Sequence, residues 1–137
     1  YQRCKDIKNV NYLGHQKHED IIKLLQDTHI FAYPSCWIET SCISAIEAMA
    51  AGCEVVTSNL GALYETCSPF ARLVHFNKNL NIFEKSYKQQ LNESIKNFWN
   101  NENQLKLRHQ SQAINDSYNW HQRSKEWVEF LQRFNSS

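Results

Sequence analysis

Hydrophobic and polar positions fall into short, distinct blocks along the first half of the chain. Asn9-Val10-Asn11-Tyr12-Leu13 alternates polar and apolar side chains, which predicts a short strand ended by Gly14. Over residues 18–28, Ile21, Ile22, Leu24 and Leu25 form one stripe at helical spacing, with Glu19 and Asp20 in the first turn. The apolar run His29-Ile30-Phe31-Ala32-Tyr33 reads as a buried strand, and Pro34 stops it because proline has no N–H for a sheet ladder. A helix is expected over residues 42–51, closed by Gly52, then a β-branched strand over residues 53–58. A loop (Asn59-Leu60-Gly61-Ala62), a helical turn over residues 63–67 and a last strand over residues 71–75 complete the block. This alternation predicts an α/β fold with a parallel sheet covered by helices on both faces.

The pattern changes at Asn79. Asn, Gln, Lys and Glu dominate from there on, and neither Gly nor Pro occurs. Helices are expected over residues 82–99, 102–116 and 120–134, the last capped by Asn119. Trp120, Trp127, Phe130, Leu131 and Phe134 repeat along that last helix, and packing against the domain is the plain reading of such a stripe. The chain is therefore expected to be one domain over residues 1–137, with an α/β core at 1–78 and a helical C-terminal segment at 79–137.

Composition narrows the classes. A length of 137 residues suffices for a real core. A net charge of +1 gives no single-sign field, which argues against nucleic acid as a partner. No apolar stretch approaches the roughly 20 residues that span a bilayer. The start is charged, carries no signal peptide and lacks an initiator methionine, so a piece of a longer, cytoplasmic protein is expected. Five cysteines, at 4, 36, 42, 53 and 67, form no Cys-x-x-Cys and suit reduced thiols better than a disulfide framework.

Candidate chemistry collects between the apolar runs. A strand feeding a helix amino end offers unpaired N–H groups and a favourable dipole to anionic ligands. Glu39 lies in the turn before that helix and Glu47 inside it. Ile43 and Ile46 mark the expected core side, and Glu47 projects only about 40° from Ile43 on a helical wheel. A carboxylate there needs a hydrogen-bond partner. Ligand hydroxyls, an internal basic or backbone group, or water reached by snorkelling all qualify. Ser44-x-x-Glu47 mimics a capping box, but Thr40 or Ser41 is better placed to cap. His15-x-x-His18 suggests a metal pair, yet no carboxylate or thiol completes it. Cys42 lacks a partnering base, so packing or backbone contact is the better reading.

The run Tyr33-Pro34-Ser35, then Glu39 through Glu47, then Ala48-Met49-Ala50-Ala51-Gly52 and Gly61-x-x-x-Glu65, resembles the donor-binding half of GT-B glycosyltransferases. The nearest likeness is family 4, the "glycosyl transferases group 1". Val10-Asn11-Tyr12-Leu13-Gly14 and Asn119-Trp120-x-x-Arg123 are similar to that family's third strand and closing helix. The resemblance implies a Rossmann-like half of a GT-B fold binding a nucleoside-diphosphate sugar. Glu39 would contact donor-sugar hydroxyls near the reacting carbon and is the catalytic candidate. Backbone amides of Thr40, Ser41, Cys42 and Ile43 would face sugar and diphosphate. Glu47 would accept both ribose hydroxyls, and the loop after Leu13 would border the base. Glu65 would support the donor loop or stand as a solvated helix-start acid. Hexose transfer with retention and without a bound metal or other cofactor is implied, to a glycan, lipid or protein acceptor held by an N-terminal domain missing here. The full-length enzyme would be compatible with peripheral membrane association.

The sequence departs from the family pattern at Thr40-Ser41-Cys42, where many relatives carry Gly-Phe-Gly. The Arg and Lys that grip the diphosphate would lie upstream of Val10, outside this sequence, so the isolated piece is expected to be inactive. Two rival readings are a non-catalytic α/β nucleotide- or partner-binding module and an interaction domain that uses the aromatic helix.

Overall fold

The computed structural model describes residues 2–135. A 3-10 helix, Gln2–Asp6, opens the chain. It is followed by α1 (His18–Gln26), β1 (Ile30–Tyr33), α2 (Ile43–Ala51), β2 (Glu54–Ser58), α3 (Leu63–Cys67), β3 (Arg72–Val74), α4 (Leu80–Asn97), α5 (Asn101–Ser117) and α6 (Trp120–Asn135). The strands pair in parallel in the order β1-β2-β3, with Phe31 opposite Val55 and Thr57 opposite Leu73. This is the α/β parallel-sheet fold that the hydrophobic pattern predicts.

β2 is central, so all five of its residues are buried. Successive side chains leave it on opposite faces. Val55 joins Leu25, Ala45, Ala48, Met49, Leu63 and Ile114 in the core on one face. Val56 joins Val74, Phe83 and Tyr87 on the other. Helices therefore cover both sides. Asn79 and Asn100 cap α4 and α5 by accepting from the amides of Asn81 and Glu102.

The polar composition of α5 has a specific use. Helix ends leave carbonyls without intrahelical partners. At the end of α2, Gly52 adopts a left-handed φ of 93° and the Cys53 amide returns to the Ala48 carbonyl. Gln110 Nε2 donates to the carbonyls of Met49 and Cys53, at 3.2 and 2.8 Å. Ser111 Oγ and Asn115 Nδ2 donate to the Ala50 carbonyl, at 2.6 and 3.1 Å. α5 thus caps α2 with side chains that look solvent-directed in the sequence.

Four expectations need correction. Residues 9–13 form no strand: none of the three strands pairs with them, and Asn9 sits at a φ of 66°, which breaks an extended run at its start. An alternating stretch becomes a strand only where a neighbour takes its backbone groups. Second, Ile43 does not face the core; it is 67% exposed, because Ala45, Ala48 and Met49 form the buried face of α2. Glu47 shares the outward side with Ile43. Third, neither Thr40 nor Ser41 caps α2. Cys42 occupies the capping position without a side-chain cap. Fourth, the aromatic stripe of α6 does not pack on the domain: Trp120, Trp127, Phe130, Leu131 and Phe134 are all exposed. Trp127, Phe130 and Phe134 touch one another instead, with the Phe130 and Phe134 rings 4.9 Å apart. Asn119 does cap that helix, accepting from the Gln122 amide at 2.8 Å.

Candidate functional site

Parallel strands send all their carboxyl ends to one edge, and the helices between them return with their amino ends at that same edge. The loops after β1 and β2 meet there. Glu39 forms an isolated parallel bridge with Gly61, and the Ala62 amide donates to the Glu39 carbonyl at 2.9 Å. Gly61 is required at this crossing. Its φ is +60°, and a Cβ would lie 2.7 Å from the Glu39 carbonyl oxygen and 2.8 Å from its nitrogen. Asn59 then ties the β2 loop to the end of β3 by accepting from the Phe76 amide at 2.8 Å.

Each candidate acid is held by one aromatic-ring side chain. The Tyr33 hydroxyl donates to Glu39 Oε1 at 2.6 Å. That hydrogen bond, with desolvation and the Glu39 charge adding to it, raises the phenol above its ordinary pKa and keeps it a donor. His18 Nε2 lies 2.6 Å from Glu47 Oε1 across the contact between α1 and α2. The Glu47 side chain is 23% exposed, the His18 side chain 69%. The partner required for an acid on α2 is therefore a histidine at the start of α1. His18 belongs to the sequence pair weighed for a metal; among the described residues no group of three possible ligands forms.

The turn between the acids is accessible. Thr40, Ser41 and Ile43 are exposed, and Cys42 is buried in the core. Burial pushes the Cys42 thiol above its ordinary pKa, outweighing the amides that favour its ionised form, so it is not an activated nucleophile. Glu65 stands exposed in the first turn of α3. Open concavities of about 460 and 410 Å³ lie away from both acids. The first is lined by Arg72, Asn97, Asn100 and Lys106, and the second by Phe98, Leu107 and Arg108 beside α5. Volume alone does not make either one a reaction site.

Sequence reasoning passes over two residues here. Tyr33 is legible only as the end of a strand, and His18 only as half of a metal pair. A further carboxylate, Glu54, is buried at the opposite sheet edge, where it accepts from Arg72 Nε, Ser94 Oγ and Asn103 Nδ2 at 2.5, 2.9 and 3.0 Å.

An α/β domain with a cross-linked loop edge above parallel strands belongs to the class that binds ligands at strand ends. The family model for "Glycosyl transferases group 1" matches residues 2–120, so the chain belongs to that glycosyltransferase family. Neither the curated proteins nor the solved structures give a match. Among the described residues no helix is long and apolar enough to cross a membrane.

Proposed function

We propose that the chain is the donor-binding half of a glycosyltransferase and takes a nucleoside-diphosphate sugar at the loop edge above β1 and β2. Glu47 accepts the ribose hydroxyls, Glu39 meets hydroxyls of a hexose-type donor sugar, and the amides of Thr40, Ser41, Cys42 and Ile43 face the sugar and diphosphate. One observation carries this reading: Glu39 precedes α2 and Glu47 lies at its middle, and among the described residues each spends one carboxylate oxygen on a single protein donor. An ionised carboxylate has about four acceptor positions, so most remain available to hydroxyl groups. The uncapped start of α2 adds amides and a dipole suited to phosphate.

In the whole enzyme the bond from the sugar's anomeric carbon to the diphosphate oxygen breaks. The nucleoside diphosphate leaves with the electron pair, an acceptor hydroxyl forms the new glycosidic bond, and its proton is released. Glu39 and the α2 amides stabilise charge that develops during this exchange. The reading assigns retention of configuration, no resident metal or other cofactor, a cytoplasmic setting with peripheral membrane association, and a glycan, lipid or protein acceptor held by a preceding domain. It treats residues 1–137 as one unit with an α/β core at 1–78 and a helical segment at 79–137, inactive by itself.

Titration calorimetry with UDP, GDP and ADP tests it. Binding of one of them is expected, and Glu47→Ala should weaken it about ten- to a hundredfold, the worth of hydrogen bonds to a charged acceptor. Binding indifferent to Glu47→Ala places the site elsewhere. Loss of transfer by Glu39→Ala in the full-length protein separates an enzyme from a non-catalytic nucleotide-binding module, which would bind without turnover.

A further inference from the structure

The geometry points to His18 as a positioning residue that makes the donor site selective for ribose over deoxyribose, acting through Glu47; the inference rests on the donor-site reading above. His18 opens α1 and Glu47 lies within α2, so their 2.6 Å contact joins two helices that are 29 positions apart along the chain. Glu47 is on the outward side of α2, away from Ala45, Ala48 and Met49. Its side chain is 23% exposed, and among the described residues the hydrogen bond that holds it comes from His18. A free glutamate on a helix surface samples several rotamers and must lose that freedom when it binds a ligand. His18 removes much of this freedom beforehand.

The chemistry of the pair settles who donates. An ionised carboxylate only accepts, so His18 Nε2 carries the hydrogen and Glu47 Oε1 receives it. Among the described residues Glu47 Oε2 carries no protein hydrogen bond. Holding Oε1 turns Oε2 and the spare acceptor position of Oε1 toward one direction. Two neighbouring ribose hydroxyls present two donors that fit a carboxylate fixed this way. A 2′-deoxyribose supplies only one and leaves part of the carboxylate unpaired. Rejection of an analogue that lacks a hydroxyl depends on such an ordered acceptor. A freely rotating carboxylate would instead turn toward the remaining hydroxyl and water.

The test compares UDP, GDP and ADP with their 2′-deoxy counterparts in the wild-type protein and in His18→Ala, His18→Gln and Glu47→Ala. The wild type should prefer the ribonucleotide. His18→Ala should weaken ribonucleotide binding about three- to tenfold and leave the deoxy form nearly unchanged, so that the preference collapses. His18→Gln should restore most of it, because the glutamine amide also donates. Thermal melting should show all variants folded, since His18 is largely exposed. A His18→Ala protein with the wild-type preference, or a His18→Gln protein that behaves like the alanine variant, overturns the role of His18. The donor-site reading survives either result if Glu47→Ala still weakens binding. If Glu47→Ala has no effect, or no nucleotide binds, the reading and this inference both fall.

Discussion

Three glutamates border the sheet, and the two edges treat them in opposite ways. Glu54 begins β2 and is 4% exposed. Three donors, from β3, α4 and α5, converge on its two oxygens. Glu39 and Glu47 stand at the other edge, each with a single protein donor on one oxygen among the described residues. A buried carboxylate surrounded by donors is a joint: it helps tie the helical C-terminal segment to the α/β core, and three of its roughly four acceptor positions are filled. A half-buried carboxylate with one orienting donor has capacity in reserve. The difference is the physical basis on which Glu54 reads as structural and Glu39 and Glu47 are proposed to bind a ligand.

The largest effect is expected at Glu54. Glu54→Ala leaves Ser94 facing a buried gap without an acceptor and takes the carboxylate from Asn103 and from the part-exposed Arg72. Removing one partner of a buried charged network costs about 3–5 kcal/mol. Urea unfolding should show that loss, while nucleotide affinity of the remaining folded protein stays at the wild-type value. A variant as stable as wild type would mean that the joint holds nothing together.

Gly61→Ala comes next and strikes the other edge. A non-glycine residue held in the left-handed region costs about 1–2 kcal/mol, and the new methyl group collides with the Glu39 backbone. Stability should fall by about that amount. Nucleotide-sugar affinity should fall further than stability alone explains, because the collision moves Glu39. Unchanged affinity would detach the Gly61 crossing from the site.

Much of this contrast is legible in the order of the residues, and what is not has a physical cause. Among the described residues the three strands and six α-helices follow from hydrophobic spacing, and Gly52 and Asn119 fall where capping rules put them. Glu39 and Glu47 stand out by resemblance. Their partners do not. Tyr33 and His18 reach the acids through tertiary contacts over 6 and 29 positions, and no local pattern encodes such a meeting. Glu54 reads as one polar residue in a strand, because its donors come from 18, 40 and 49 positions away. Ile43 misleads because helical spacing gives relative angles but not which side faces the sheet. The alternation of residues 9–13 misleads because a strand is a property of two segments.

Alkaline stability sharpens the picture of the core shared by both edges. Burial pushes the Cys53 thiol up to about 11 and the Cys67 thiol up to about 12, from an ordinary 9.0, and raises the Tyr87 phenol in the same direction. Above pH 9 the unfolded chain loses these thiol protons while the folded chain keeps them. The unfolded state then binds fewer protons, so stability falls as pH rises between 9 and about 12. The urea midpoint should drop between pH 8.5 and 10.5, with no matching loss between pH 7 and 8.5 from these groups. A flat midpoint across the upper range contradicts a core that keeps its thiols dry.

The smallest effect is expected at α6, which lies away from all three glutamates. Its apolar residues are as large as any in the chain, yet they are exposed, and the ring contacts of Trp127, Phe130 and Phe134 are with one another, at 5.8 and 4.9 Å. Substitutions that leave no cavity in a core and no polar group unpaired usually change stability by within about 0.5 kcal/mol. Replacing Trp127, Phe130 and Phe134 together by alanine should therefore leave the urea midpoint almost where it was, although about as much aromatic surface is removed as a core triple mutant would lose. If the triple variant instead loses stability on the scale of Glu54→Ala, α6 packs on the domain in solution. The helical segment would then have one more attachment, beside the Glu54 cluster and the α5 side chains that cap α2.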